Sequence, residues 1–249
     1  MRFHWLLPSV KGIPVLMYHR VWPGLRDGLT LAPEQLREQW LYLRDEGYRC
    51  LALQEFLEIT RGEKKDPGKS FLLTFDDGYR NNLTYVYPLL QELDWSAVIF
   101  IIAGTLDGTA APVANGPDEK LGVEELVSMT GKHIQLGLHG YHHENFKETS
   151  PENIAIAIRQ SIQAFEQAGL DYYKVLAYPY GARPKDKQAL GQVKSILKQQ
   201  GIEAAFRIGN QPASVPAADM FEIKRIDIRG EDSLEDFKIK LKKGKLKPF

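Results

Sequence analysis

Residues 70–80 read SFLLTFDDGYR, a run of apolar, strand-forming residues that ends on two adjacent aspartates and a glycine. A short apolar run bounded by a turn signal predicts a buried strand. Its ending is costly. Adjacent like charges repel, and a carboxylate at the mouth of a buried strand loses hydration unless a positive group stands opposite. The pair at Asp76 and Asp77 therefore asks for a cation.

Working outward, short β-branched or aromatic runs alternate with helical patterns along the whole chain. Strands are expected at 14–21, 48–53, 70–77, 96–103, 133–138, 173–179, 203–208 and 221–228. Between them, residues 32–47 place Leu36, Trp40 and Leu43 on one helical stripe. Residues 150–169 open with Ser150 as N-cap and Pro151 in the first turn, and close on Gly169. No repeat, low-complexity segment or long linker divides the series. The expected fold class is α/β: a single distorted, TIM-like (β/α) barrel of about seven to eight strands, with residues 1–249 forming one domain.

Composition sets the limits. The 249 residues are 43% hydrophobic and 26% charged, enough for one large core. Lys+Arg and Asp+Glu both number 32, so no overall field draws the chain to nucleic acid, and no nucleic-acid partner is expected. The single cysteine, Cys50, cannot form an internal disulfide and reads as a buried, inert thiol. The first residues lack the apolar core of a secretory signal, and no run approaches the ~18 apolar residues of a membrane span. A cytoplasmic protein without an integral membrane segment is expected from the sequence as given, unless a leader was trimmed. The tail KIKLKKGKLKPF (238–249) is strongly basic. It reads either as a solvated helix end or as a strip that touches an anionic surface.

In a β/α barrel, groups at the C-terminal ends of strands share one rim. His19 ends the first expected strand, Asp76 and Asp77 the third, His139 the fifth, and Tyr180 follows the sixth. His133 begins its strand and belongs to the opposite end. In LHGYHHENF (138–146), His139 and His143 are four apart, with Gly140 permitting a tight turn. Two histidines with one carboxylate leave a fourth position open, the ligand count of a catalytic rather than a structural zinc site. His142, between them, reads as a neighbour rather than a ligand.

TFDDGY, HGYHH and AYPYG, preceded by GIPVLMYHRV, together resemble the polysaccharide deacetylase family of metal-dependent carbohydrate esterases. The resemblance runs from about Gly12 to SLEDFKIKL. It implies a distorted (β/α) barrel that removes N-acetyl groups from amino sugars of a glycan. It also implies that Asp77 binds a divalent metal with His139 and His143, while Asp76 is the general base. Zinc is the expected metal, with nickel, cobalt or iron as alternatives. Pro179 and Tyr180 correspond to the family segment in which the residue after proline supplies a backbone N–H to the oxyanion.

The chain departs from the common family pattern in three places. Gly140 stands where Ser or Thr is usual, no arginine precedes YPYG, and no histidine follows His143. The missing arginine makes Arg225 a candidate to hold Asp76 ionised, the alternative being a salt bridge elsewhere on the barrel. The missing histidine leaves His19 as the expected general acid, or else a core histidine. Trp22 is a candidate for stacking on a sugar or a hydrophobic plug, and residues 104–120 are long enough to form a substrate loop. Two other classes stay open: a catalytically silent carbohydrate-binding protein, and a hydrolase of a non-sugar amide or cyclic imide.

Overall fold

A computed structural model describes residues 10–109 and 116–246. Each of the eight expected strand regions contains a strand. The barrel strands are β1 (Val15–Tyr18), β5 (Ser70–Asp76), β6 (Ala97–Ile101), β7 (Ile134–Leu138), β8 (Val175–Ala177), β9 (Ala204–Ile208) and β10 (Ile223–Asp227). All pair in parallel in the order β1-β10-β9-β8-β7-β6-β5, and β5 pairs back onto β1. Seven strands thus close a barrel. Its helices include α1 (Pro33–Asp45), α3 (Tyr87–Leu93), α4 (Val123–Met129), α5 (Pro151–Gln167), α6 (Lys187–Gln199) and α7 (Leu234–Lys243).

Two expected strands are shorter than their patterns. The 48–53 run yields only β4 (Arg49–Cys50), which pairs with Ser70 and Phe71 at the start of β5. From Leu72 onward that edge of β5 belongs to β1, so β4 has nothing further to pair with. The 14–21 run breaks at His19, after which β2 (Arg20–Val21) leaves the barrel to pair with β3 (Thr30–Leu31). The break is local. Asn82 donates from its side-chain amide to the His19 carbonyl at 3.0 Å, so the end of the first barrel strand is held from the turn that follows β5.

Alternation along the strands separates two apolar layers. Phe71, Leu73 and Phe75 of β5 face the helices with Leu16, Tyr18, Ile99, Leu136 and Trp40. Leu72 lies inside with Val15, Val98, Phe100, Val175, Phe206 and Ile223. Helix α2 (Leu53–Arg61) contributes Leu53, Phe56 and Leu57 to this inner cluster, with Phe56 stacked on Phe206, and so plugs one end of the barrel. Gly137 makes room for that packing: a Cβ there would stand 2.8 Å from the Phe100 ring. The inward series continues upward through Thr74 to Asp76, and on β10 from Ile223 to Arg225 and Asp227. Polar groups thereby meet at the open end.

Helix ends follow their sequence signals. The Ser150 hydroxyl caps α5 by accepting from the Asn153 N–H, and Gly169 takes φ 65° beyond its end. Leu36, Trp40 and Leu43 are buried. The Cys50 thiol donates to the Ser96 carbonyl, and burial pushes its pKa up to about 12. Among the described residues no helix is long and apolar enough to cross a membrane. The basic tail lies partly outside the described residues, and Lys240 within it is no exposed cation. Its ammonium is buried against Asp232 at 2.5 Å and donates to the Asp227 carbonyl at 2.7 Å.

Candidate active site

A cleft of about 240 Å³ opens at the C-terminal ends of the strands, lined in part by Met17, His19, Asp76, Asp77, His139 and His143. Residues adjacent in a strand point to opposite faces, so Asp76 and Asp77 would diverge if β5 simply continued. It does not. Asp77 takes φ 73° and Gly78 φ 66°, turning the chain so that both carboxylates face the cleft. Left-handed backbone at a non-glycine residue costs of order 1–3 kcal/mol and persists where its surroundings impose it. Six described non-glycine residues have positive φ, and three of them, Asp77, His143 and Tyr180, line this cleft.

Asp76 faces a buried cation. Arg225, fully buried, donates from its two terminal nitrogens to the two Asp76 oxygens at 2.6 and 2.7 Å. It also reaches the Thr74 hydroxyl at 3.3 Å. Burial pushes the Asp76 carboxyl up, but Arg225 and the nearby imidazoles outweigh it and hold the group below the usual carboxylate range. The arginine absent before YPYG thus has a counterpart on the last barrel strand.

Asp77, His139 and His143 converge, with one donor atom from each all within 4.8 Å of one another. The Asp77 Oδ1 lies 3.4 Å from both imidazole Nε2 atoms, which are 3.2 Å apart. His139 donates from Nδ1 to the Ala177 carbonyl at 2.8 Å, which turns its Nε2 toward the aspartates. Burial and neighbouring His139 push the His143 pKa down to about 4, so that ring offers a free lone pair near neutral pH. Burial raises the Asp77 carboxyl, but His139 and then Lys120 hold it far below its ordinary range. Its Oδ1 is buried and makes no hydrogen bond. A buried acceptor with nothing to accept, facing two imidazole nitrogens, is the donor set a divalent transition metal takes.

His19 lies in the same cleft, its Nε2 3.9 Å from Asp76 Oδ2, and its buried Nδ1 makes no hydrogen bond. Burial pushes its pKa down, and the two aspartates only partly reverse this. Tyr180 is 65% exposed, and its ring lies 4.2 Å from that of His143. His142 is exposed and packs edge-on against Tyr141, and His133 bonds the Trp95 carbonyl at the other end of its strand.

Two expected substrate contacts are placed elsewhere. Trp22 is not among the residues lining the cleft and packs edge-on against Tyr85. Pro179 is buried beneath the turn, while exposed Tyr180 and Leu29, with partly buried Ile208, are apolar side chains lining the cleft. Of the expected substrate loop, residues 110–115 lie outside the described residues. Its end docks on the turn after β5, where Arg80 N–H donates to the Glu119 carbonyl and Asn81 to that of Pro117.

The site also holds residues not singled out from sequence. Asp227 and Arg229 line the cleft, and burial raises the Asp227 carboxyl. Asp227 lies two residues after Arg225, so strand periodicity alone places it on the same face. Asn82 secures His19, and Glu144 secures the turn between the two histidines.

Fold and site together define a β/α-barrel enzyme with an Asp–His–His centre beside an arginine-held aspartate. The polysaccharide deacetylase family model matches residues 63–205, and the chain belongs to that family. It is 26% identical over 211 residues to the protein YxkH of Bacillus subtilis (strain 168), covering 80% of this chain and 72% of that one. Over 111 residues it is 34% identical to the poly-beta-1,6-N-acetyl-D-glucosamine N-deacetylase of Escherichia coli (strain K12), which is 44% of this chain but 16% of that protein. Among solved structures, IcaB from Ammonifex degensii superposes with a TM-score of 0.74 at 24% identity, covering 94% of this chain and 98% of that one.

Proposed function

We propose that the protein is a metal-dependent N-deacetylase that hydrolyses the acetamide of N-acetylated amino sugars in a glycan or glycan precursor. The observation that carries this is the pairing of two differently held carboxylates: Asp76 clamped by Arg225, and Asp77 facing two imidazoles with an unsatisfied oxygen. Asp77, His139 and His143 fit a divalent cation, zinc by ligand type, with nickel, cobalt or iron also compatible. When bound, such a cation polarises an amide carbonyl and lowers the pKa of water toward neutrality.

The chain's own groups account for the proton movements. Asp76, kept ionised by Arg225, takes a proton from the attacking water as the new C–O bond forms. The Tyr180 N–H is assigned to the oxyanion, and the exposed Tyr180 ring with Leu29 supplies an apolar platform for a sugar. As the C–N bond breaks, the leaving nitrogen needs a proton, and the position of His19 in the cleft beside Asp76 supports the reading that it gives it. Its depressed pKa favours a second route, in which Asp76 returns the proton it received and His19 stays neutral. The relative named as a poly-beta-1,6-N-acetyl-D-glucosamine N-deacetylase supports amide hydrolysis on such glycans.

The test is acetate release from β-1,6- and β-1,4-linked N-acetylglucosamine oligomers, with and without a chelator. Release that stops on chelation and returns with added metal supports the assignment. Tight binding of the oligomers without acetate release would make the protein a sugar-binding relative instead, and release from simple amides or cyclic imides alone would move the substrate class.

A further inference from the structure

We propose that Glu144 is a positioning residue for the metal centre, a carboxylate clamp that holds the turn between His139 and His143 in its ligating shape. The inference rests on reading Asp77, His139 and His143 as metal ligands. Its basis is an account of the turn's backbone hydrogen bonds, which in a partly buried loop must all find partners.

The carbonyls of the turn are taken from one side. Gly140 accepts from the Ala103 N–H at 3.0 Å and Tyr141 from the Gly104 N–H at 2.8 Å, both on the segment after β6. The amides are taken from the other side by one residue. Glu144 Oε2 accepts from the Tyr141 N–H and Oε1 from the His142 N–H, each at 2.9 Å. Consecutive backbone amides that point into one concavity form a natural seat for an anion, and here the chain supplies its own. Glu144 follows His143 directly, so the clamp closes the loop on the residue that must hold its ring toward Asp77. His143 does so from φ 62°, a conformation that neighbouring contacts must impose.

Gly140 completes the device. It has φ 78°, and a Cβ there would stand 2.6 Å from Glu144 Oε2. No side chain at 140 can therefore share the turn with Glu144 in its present place. Glu144 itself is not in the converging donor group, so it acts on the cation only through the two histidines.

The experiment uses the full chain freed of metal and titrated with Co²⁺, followed by visible absorption, with melting of each metal-free variant in parallel. Glu144→Ala is expected to weaken Co²⁺ binding about 10–100-fold, the usual effect of removing a group that orients metal ligands. Glu144→Gln, which keeps one oxygen acceptor, should fall between. Gly140→Ser should weaken binding in the wild-type background both by displacing Glu144 and by straining the backbone at φ 78°, and weaken it less once Glu144 is Ala, where only the strain remains. Wild-type affinity in Glu144→Ala overturns the proposal, as does a loss accounted for by unfolding of the metal-free variant or strict additivity of the two substitutions. Failure of the wild-type chain to bind Co²⁺ is a different result: it removes the metal-ligand assignment, and this inference with it.

Discussion

Replacing Arg225 by Met removes the cation opposite Asp76 while keeping a long apolar stem in the barrel. The guanidinium is fully buried, and the Asp76 side chain is only 4% exposed, so water cannot replace the two lost bonds. Breaking a buried pair from one side costs about 3–5 kcal/mol, because a charge is left without compensation. The carboxylate can avoid that cost by taking up a proton. At about 1.36 kcal/mol per pKa unit, a cost of that size drives the Asp76 carboxyl upward, out of the depressed range in which Arg225 holds it. The divalent cation that Asp77, His139 and His143 would hold beside Asp76 would oppose that rise in the working enzyme. In the wild-type protein the folded pKa of Asp76 is depressed. The pair's stabilisation is thus fully present above the unfolded value of about 3.9 and is lost as pH falls through the folded one. The assay is kcat against pH for acetate release, with urea melts beside it. The acid limb should move to higher pH in Arg225→Met, and activity should recover as pH rises. An acid limb that stays in place in the folded variant would refute the reasoning. So would an Arg225→Met/Asp76→Leu protein no more stable than Arg225→Met alone.

Asp76→Asn should retain metal but lose about 10²–10⁴-fold in turnover, since the shape stays and the base goes; metal content measured with kcat checks it. Asp77→Ala should bind metal far more weakly, and added metal should no longer raise its melting temperature as it raises that of the wild-type protein. If His19 is the general acid, its depressed pKa puts the loss of its protonated form, and hence the basic limb, below the ordinary histidine value, and His19→Ala should abolish that limb. An unaltered limb assigns the proton to Asp76. Ser150→Ala, far from the chemistry, should cost about 1 kcal/mol through the lost cap on α5, read in a urea melt with kcat unchanged.

Local pattern made most of the framework legible. An apolar run ended by Asp-Asp-Gly could only be a strand stopping at a polar rim, and the Ser150-Pro151 start and Gly169 end of α5 are set by hydrogen bonds within a few residues. The spacing of His139 and His143 belongs to the same class, because one turn brings both rings to one place. What local pattern cannot encode is closure. Asp76 and Arg225 lie 149 residues apart in the chain, and they meet because β1 pairs with both β5 and β10, shutting the sheet into a barrel whose inward-facing positions share one small volume. Sequence named Arg225 only as one of two possibilities. Trp22 shows the opposite case: its residue type suited a sugar platform, but in the fold it packs edge-on against Tyr85 and does not line the cleft. Glu144 was invisible for a third reason. A carboxylate reads as a solvated surface charge until the backbone amides it bonds are in place, and those amides face Glu144 in the turn that Gly140 and His143 make with positive φ.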